Sequence, residues 1–230
     1  MPSTIVITGA NRGIGLELAR QALARGDRVV ATARRPEAAG ELAALVKGPG
    51  ELSVAPLDVT DPASASALAA QITGPIDLLV CNAGQFLARG GVDDPAHTAA
   101  AWQSCLMTNI AGPFFTVRAL LPGLSAAEAG KIAIISSIMG SSGRAPGGSY
   151  IYRASKAAAT NLAKNLAAEL APQRIAVGAY HPGWVRTDMG GGSADLSVEE
   201  SAAGLLKRFD ALGPETTGVF EDYSGAPMPL

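Results

Sequence analysis

Short apolar runs recur along the chain, and a segment with helical spacing of its apolar positions follows most of them. The runs are rich in Ile, Val and Leu, as in strands that are buried on both faces. They predict strands at residues 5–7, 29–31, 52–54, 77–80, 131–135, 174–177 and 218–220. Helices are predicted at residues 16–25, 37–47, 61–72, 98–124, 157–171 and 198–212. The alternation predicts an α/β fold, a doubly wound, Rossmann-type parallel sheet of about seven strands with helices on both faces.

Length and composition favour one domain that spans residues 1–230. Hydrophobic residues make up 48% of the 230, which is enough for a sizeable core. We find neither an internal repeat nor a linker that would divide the chain. Eighteen basic residues stand against 20 acidic ones, with no basic patch, so we expect no nucleic-acid partner.

Several further classes of protein are disfavoured. No apolar run approaches the roughly 20 residues that cross a bilayer, and the chain begins directly with a strand-like segment rather than a signal peptide. The two cysteines, Cys81 and Cys105, and the two histidines have no metal-ligand spacing. We therefore expect a cytoplasmic protein with free thiols, no metal and no membrane partner.

A glycine-rich segment, TGANRGIG at residues 8–15, lies between the first predicted strand and the first predicted helix. Glycine at such a turn lets backbone amides approach a pyrophosphate, and the helix amino terminus adds partial positive charge. The alternative is a strand–helix turn that binds no ligand. The candidate cofactor-binding residues here are Gly9, Asn11, Arg12, Gly13, Ile14 and Gly15.

Tyr152 and Lys156 form a Tyr-x-x-x-Lys motif, with a helical pattern directly after it. Residues four apart lie on one face of a helix. An ammonium beside a phenol favours the phenolate and lowers the phenol's pKa, which would equip Tyr152 as an acid or base. Tyr150 is expected to precede the helix. The alternative interpretation is a surface lysine and a half-buried tyrosine without chemistry.

Together these motifs resemble the short-chain dehydrogenase/reductase family, in its single-domain branch, over essentially the whole chain. The resemblance rests on TGANRGIG at 8–15, Asp58-Val59, Asn82-Ala83-Gly84, Asn109, Ser136-Ser137, Tyr152-x-x-x-Lys156 and Pro182-Gly183. It implies an oxidoreductase that transfers a hydride between a nicotinamide cofactor and a carbonyl compound or secondary alcohol.

The resemblance also implies catalytic roles for four residues. Tyr152 would exchange a proton with the substrate oxygen, and Lys156 would lower its pKa and hold the nicotinamide ribose. Ser137 would orient the substrate oxygen, whereas the adjacent Ser136 points to the opposite face of the strand and packs. Asn109 would place a water that relays protons from Lys156.

The end of the second predicted strand bears on the choice of cofactor. Relatives that use NAD commonly carry an acid there, but this strand ends in Arg34. Arg34 and Arg12 could bind a 2′-phosphate, so NADPH is predicted over NADH; the alternative is two solvated arginines. The resemblance implies further cofactor contacts from Asp58, Val59, Asn82, Ala83, Gly84, Tyr152, Lys156, Pro182, Gly183, Val185 and Thr187.

The segment after the sixth predicted strand is short and glycine-rich, which predicts an open, mobile substrate pocket. Its candidate apolar walls are Ile138, Met139, Trp184 and Met189. No arginine or lysine is expected to point into the pocket. A small, neutral carbonyl compound or alcohol is therefore the predicted substrate.

Residues 181–191 and 223–230 resemble a narrower branch, the sniffer-type carbonyl reductases and the bacterial C-factor-like proteins. That branch gives the alternative of a cofactor-binding signalling or interaction protein whose catalysis is incidental. The family also implies a homodimer or homotetramer, assembled through the long fourth helix and the Tyr-Lys helix.

Overall fold

The computed structural model describes residues 2–45 and 49–230, and in them a seven-stranded parallel sheet has the order β3-β2-β1-β4-β5-β6-β7. The strands are β1 Thr4–Ile7, β2 Arg28–Ala33, β3 Glu51–Pro56, β4 Leu78–Cys81, β5 Lys131–Ile135, β6 Ala176–His181 and β7 Phe220–Asp222. The predicted α/β, Rossmann-type fold is confirmed. The strand order reverses between β1 and β4, and the carboxyl ends of strands at such a point form the ligand crevice of open α/β sheets.

Helices cover both faces of the sheet. They are α1 Gly13–Ala24, α2 Gly40–Ala43, α3 Pro62–Gln71, α4 Ala99–Leu106, α5 Gly112–Ala126, α6 Tyr150–Leu170 and α7 Val198–Ala211. One buried cluster joins the sheet to α3, α5 and α6, and a second joins its other face to α1 and α7. No helix in the described part of the chain is long and apolar enough to cross a membrane.

The predicted helix at residues 37–47 is wrong for most of its length. A 3₁₀ turn, Pro36–Ala38, and the four-residue α2 take its place, because Ala39 leaves the helical region at φ −100°, ψ 54°. The end of the predicted helix, at residues 46–47, lies outside the described residues.

The predicted helix at residues 98–124 is interrupted by a π-helical segment, Met107–Ala111, between α4 and α5. Gly112 N–H bonds to Met107 O, five residues back. Pro113 has no N–H, so the Asn109 carbonyl has no α-helical donor four residues on. The wider turn therefore falls at a predicted catalytic residue, as π-bulges commonly do.

The Tyr-Lys helix begins at Tyr150, seven residues before the predicted start, and the expectation that Tyr150 precedes it is wrong. The sequence pattern captured only the alanine-rich part of α6. Ile151 and Ser155 are also buried, so the first turns face the core as the later ones do. Tyr152 and Lys156 therefore lie one turn apart within one helix.

Candidate active site

A cavity of about 830 Å³ opens at the carboxyl ends of the central strands. The predicted cofactor-binding residues line it, with the exception of Gly183 and Val185. Val185 is buried and forms a bridge with Leu196, so it supports this wall from behind. Among residues 2–45 and 49–230, no three His, Cys, Asp or Glu side chains are grouped as metal ligands.

The glycine loop is held against the end of β4. Asn82 Nδ2 donates to the main-chain oxygens of Thr8 (2.9 Å) and Gly9 (3.0 Å). Gly9 has φ +64°, where a side chain would be strained. At Gly15, an added Cβ would clash with the Asn82 amide and lie 2.5 Å from Gly9 O. The side chain of Asn82 therefore holds the glycine loop in place.

The amino terminus of α1 suits a phosphate. Its N-cap, Arg12, makes no capping hydrogen bond with its side chain, and the first turn carries no acid. The first-turn N–H groups therefore keep their hydrogen-bonding capacity and their partial positive charge. With the close approach allowed by Gly15, this cradle fits the pyrophosphate of a dinucleotide.

Arg34 and Arg12 both line the cavity but differ in their partners. Arg12 Nη1 binds Asp188 Oδ2 at 3.0 Å, which links the glycine loop to the segment after β6. Within the described residues, no carboxylate lies within ion-pair distance of Arg34. The pKa of Asp58 lies below its usual value because of hydrogen bonds from Thr60 and, to a smaller extent, the charge of Arg34.

Tyr152 is only 7% exposed, and burial raises its pKa to about 12, against the opposing effect of the nearby Ser137 hydroxyl. The expectation that Lys156 lowers this pKa stays a prediction, since burial is the largest effect on Tyr152 in this structure. Lys156 Nζ donates to Ile135 O at 2.7 Å and lies 5.6 Å from the centroid of the Tyr152 ring. Its own pKa is lowered to about 8, because burial disfavours the charged form.

Ser137 and Ser136, at the end of β5, have different partners. Ser137 Oγ accepts from Met139 N at 3.1 Å, and it lies near enough to Tyr152 to act against the rise of that pKa. Ser136 Oγ instead donates to Lys156 O and lies 2.7 Å from Thr160 Oγ1, which ties β5 to α6. Of the two, Ser137 is the one that meets the tyrosine.

Asn109 is 2% exposed, and its side chain is fully engaged. Nδ2 donates to Gln85 O and to Ser155 Oγ, each at 2.9 Å, while Oδ1 accepts from Gln85 N at 2.8 Å. These bonds hold the segment after β4 against α6. A water placed by Asn109 would therefore bind its main-chain carbonyl, which Pro113 leaves without an α-helical donor.

Of the four predicted pocket residues, only Met189 lines the cavity. Ile138 and Met139 lie in a 3₁₀ turn, Ile138–Gly140, directly after β5. Trp184 is 52% exposed, and its Nε1 donates to Gly190 O at 2.8 Å. Trp184 thus stabilises the segment after β6 and does not line the cavity.

Phe86, Arg89 and Glu41 are among the residues beside the site that had not been predicted. Phe86 stacks on Tyr152, with ring centroids 4.1 Å apart and planes at 16°. Arg89 Cζ lies 4.3 Å from the Phe86 centroid, and its charge acts to lower the pKa of Tyr152. The expectation that no arginine points into the substrate pocket stays a prediction, because Arg89 donates to Met189 O and does not line the cavity. Glu41 also lines the cavity, near Arg34 in sequence.

Phe86 follows the Asn82-Ala83-Gly84 motif by two residues, and that adjacency was the only signal in the sequence that could have marked it. Arg89 carried no such signal. Its position depends on a turn at Ala88, which has φ +51° although it is not glycine. A left-handed alanine is uncommon and has no sequence signature.

The fold and the site define a dinucleotide-binding oxidoreductase. The model of the family described as short chain dehydrogenase matches residues 3–195. The chain belongs to this family of NAD(P)-dependent oxidoreductases, and the resemblance noted in its sequence is confirmed.

Two solved structures and one curated protein illustrate the relationship. The NADPH-bound carbonyl reductase from chicken fatty liver is 34% identical, with a TM-score of 0.92 over 100% of both chains. The carbonyl reductase Sniffer of D. melanogaster is 33% identical, with the same TM-score and coverage. The C-signal of Myxococcus xanthus is 39% identical over 163 residues, which make up 68% of this chain and 94% of that protein.

Proposed function

We propose that this protein is an NADPH-dependent reductase of small, neutral carbonyl compounds and that Tyr152 is its proton donor. The observation that carries the proposal is that Tyr152 and Lys156 line one cavity with the phosphate cradle, with the Ser137 hydroxyl near enough to Tyr152 to affect its pKa. The similarity to carbonyl reductases supports the substrate class.

The state of Tyr152 favours reduction over oxidation. With a pKa near 12, its hydroxyl keeps its proton at neutral pH. Bound nicotinamide would supply the hydride. As charge develops on the substrate oxygen, Tyr152 donates its proton, and the Ser137 hydroxyl holds that oxygen in line. The reverse reaction needs the phenolate, which burial disfavours.

Lys156 has two functions in this proposal. Its ammonium, fixed by Ile135 O, contributes positive charge in a buried site one helical turn from Tyr152. Because its pKa is about 8, it can also release a proton near neutral pH and so restore the tyrosine. The Asn109 main-chain carbonyl would hold the water through which that proton travels.

The preference for NADPH rests on Arg34. It lines the cavity at the end of β2 and has no carboxylate partner among the described residues, so its guanidinium is available for a 2′-phosphate. Arg12 contributes less, because Asp188 already binds it. Glu41 could instead accept a ribose hydroxyl, which would favour NADH.

The direct test is a panel of neutral ketones, aldehydes and quinones, assayed by the oxidation of NADPH and of NADH at 340 nm. We expect turnover of several neutral carbonyls, with NADPH favoured. Turnover confined to anionic or carrier-linked substrates would contradict the substrate class. A preference for NADH would contradict the role of Arg34 without affecting that of Tyr152.

A second candidate is a signalling protein whose catalysis is incidental, and the similarity to the M. xanthus C-signal favours it. A purely binding protein does not need the contact between Tyr152 and Ser137 or a buried lysine beside them. Tyr152→Phe separates the two candidates. A biological effect of the protein that survives this change, when turnover is lost, would favour signalling.

We also propose a homodimer or homotetramer assembled through α5 and α6. Phe114 on α5 is 41% exposed and is therefore available for such a contact. Sedimentation equilibrium should give a mass of two or four chains, whereas a monomer at micromolar concentration would contradict the proposal.

A further inference from the structure

Phe86 lies between two other side chains. Tyr152 stacks on its ring with centroids 4.1 Å apart, and the Arg89 guanidinium lies over the ring at 4.3 Å. Two groups this close to one centroid must occupy opposite faces, since each fills the van der Waals space on its side. Both faces of Phe86 are thus covered, and its edge is what remains for another molecule.

The segment that carries this stack, residues 86–90, is fixed at several points. Arg89 Nη2 donates to Met189 O at 2.6 Å, which joins the segment to the chain after β6. Ser149 donates from its N–H to Gly90 O (3.0 Å) and from its Oγ to Arg89 O (3.1 Å).

The backbone of the same region is strained. Ala88 and Ser149 have φ of +51° and +49°, and neither is glycine. Such conformations cost roughly 1–3 kcal/mol each and persist where the surroundings impose them, often at functional sites. Both strained residues therefore lie in or directly against the segment that carries the stack.

A substrate carbonyl that accepts a proton from Tyr152 must lie within hydrogen-bond distance of its hydroxyl, about 2.6–3.2 Å. Because Phe86 stacks on that same ring, a group attached to the carbonyl and directed to that side would lie against the Phe86 edge. The edge of an aromatic ring is positive and packs favourably against the face of another aromatic ring.

We propose that Phe86 is a specificity-determining residue, which favours carbonyl groups attached to a flat aromatic ring over equivalent saturated compounds. Arg89 is a positioning residue that holds Phe86 in place. The inference rests on the proposed carbonyl reduction and adds to it a class of substrate.

The test compares acetophenone with cyclohexyl methyl ketone, which share a skeleton and differ in the aromatic ring. Their ratio of kcat/KM is measured with NADPH for the unchanged protein and for Phe86→Leu, which keeps an apolar side chain but removes the ring. We expect this ratio to fall about 3- to 10-fold, from the usual strength of aromatic pairs. The intrinsic reactivities of the ketones cancel when the two proteins are compared.

The chain offers matched controls, because Phe114 on α5 also lies beneath an arginine, Arg118, 5.7 Å away. Phe114→Leu should leave the ratio unchanged. Arg89→Met should lower the ratio in the otherwise unchanged protein. It should not change the ratio in the Phe86→Leu background, since Arg89 acts through the Phe86 ring. Arg118→Met should leave the ratio unchanged in both backgrounds.

An unchanged ratio in Phe86→Leu would overturn the inference while the proposed function stands. This holds whether both ketones keep their kcat/KM or lose it equally, as a merely structural role would make them do. If the unchanged protein reduces neither these ketones nor any other carbonyl with NADPH, the proposed function and this inference both fail.

Discussion

Lys156 directs its ammonium at the main-chain oxygen of Ile135, 2.7 Å away, and not at the hydroxyl of Tyr152. The bond ties α6 to the end of β5, where Ser137 also lies. It leaves a buried cation beside the proposed acid, with a pKa of about 8. The energetic cost of that burial leads to two predictions.

The first prediction concerns stability. One pKa unit corresponds to about 1.4 kcal/mol, so a fall from 10.5 to about 8 represents roughly 3 kcal/mol against the folded state at neutral pH. Between pH 8 and 10.5 the unfolded chain binds the extra proton, so this contribution to unfolding free energy rises with pH. Lys156→Met should remove it and stabilise the protein at pH 7, as measured by urea denaturation.

Other buried groups titrate in the same range, so the informative quantity is the difference between Lys156→Met and the unchanged protein. We expect that difference to shrink as pH rises from 7 to 10. A difference independent of pH would contradict the assigned pKa. The variant should also lose turnover.

The second prediction concerns the pH dependence of reduction. As pH rises through about 8, Lys156 loses its proton and can no longer restore Tyr152 or contribute its charge. The value of kcat/KM for a neutral ketone should therefore decline above pH 8, while NADPH remains saturating. A profile that is flat from pH 7 to 9 would show that Lys156 does not act in this way.

The sequence could reveal the motifs of the site, but not the environment that the fold gives to each side chain. The glycine loop and the Tyr-x-x-x-Lys spacing are local patterns within the predicted strand–helix alternation, whereas Asn109 and Ser137 were identified through the resemblance to the family. The raised pKa of Tyr152 was not predictable in this way, because burial depends on the whole fold.

The Phe86 stack was missed for a related reason. It depends on a left-handed Ala88 and on contacts of Arg89 with Ser149 and Met189, which are 60 and 100 residues further along the chain than Arg89. Propensity and periodicity carry no information about contacts of that kind. Gly40 could have indicated the break in the helix predicted at residues 37–47. The helical spacing of the apolar residues around it outweighed that signal in the prediction.

The third prediction concerns the cofactor. Arg34→Asp removes the proposed phosphate ligand and introduces repulsion, so the KM for NADPH should rise by at least about 10-fold, as expected from a lost charged hydrogen bond of 1.5–3 kcal/mol. The KM for NADH should stay the same or fall. Arg35→Asp is the matched control, because Arg35 is exposed but does not line the cavity. Equal effects of the two changes on NADPH would contradict the assignment.

The fourth prediction concerns the glycine loop. Gly15→Ala places a methyl group against Gly9 O and the Asn82 amide, which must shift. Overpacking of this kind costs roughly 1–3 kcal/mol, and the displaced loop should also bind NADPH more weakly. Gly40→Ala is the control, since an added Cβ there meets nothing within 4 Å. Thermal unfolding and fluorescence titration with NADPH measure the two effects, and a Gly15→Ala variant equal to the control in both would contradict this account of the loop.

The most direct test of the account is the reduction of a neutral ketone by Tyr152→Phe. The change removes one oxygen and keeps the aromatic ring against Phe86, so binding of NADPH and the fold should persist. Removal of a general acid typically costs about 10²- to 10⁴-fold, and we predict a loss of kcat of at least that size with the dissociation constant for NADPH unchanged. A variant that reduces the ketone at the rate of the unchanged protein would contradict the assignment of Tyr152 as the proton donor.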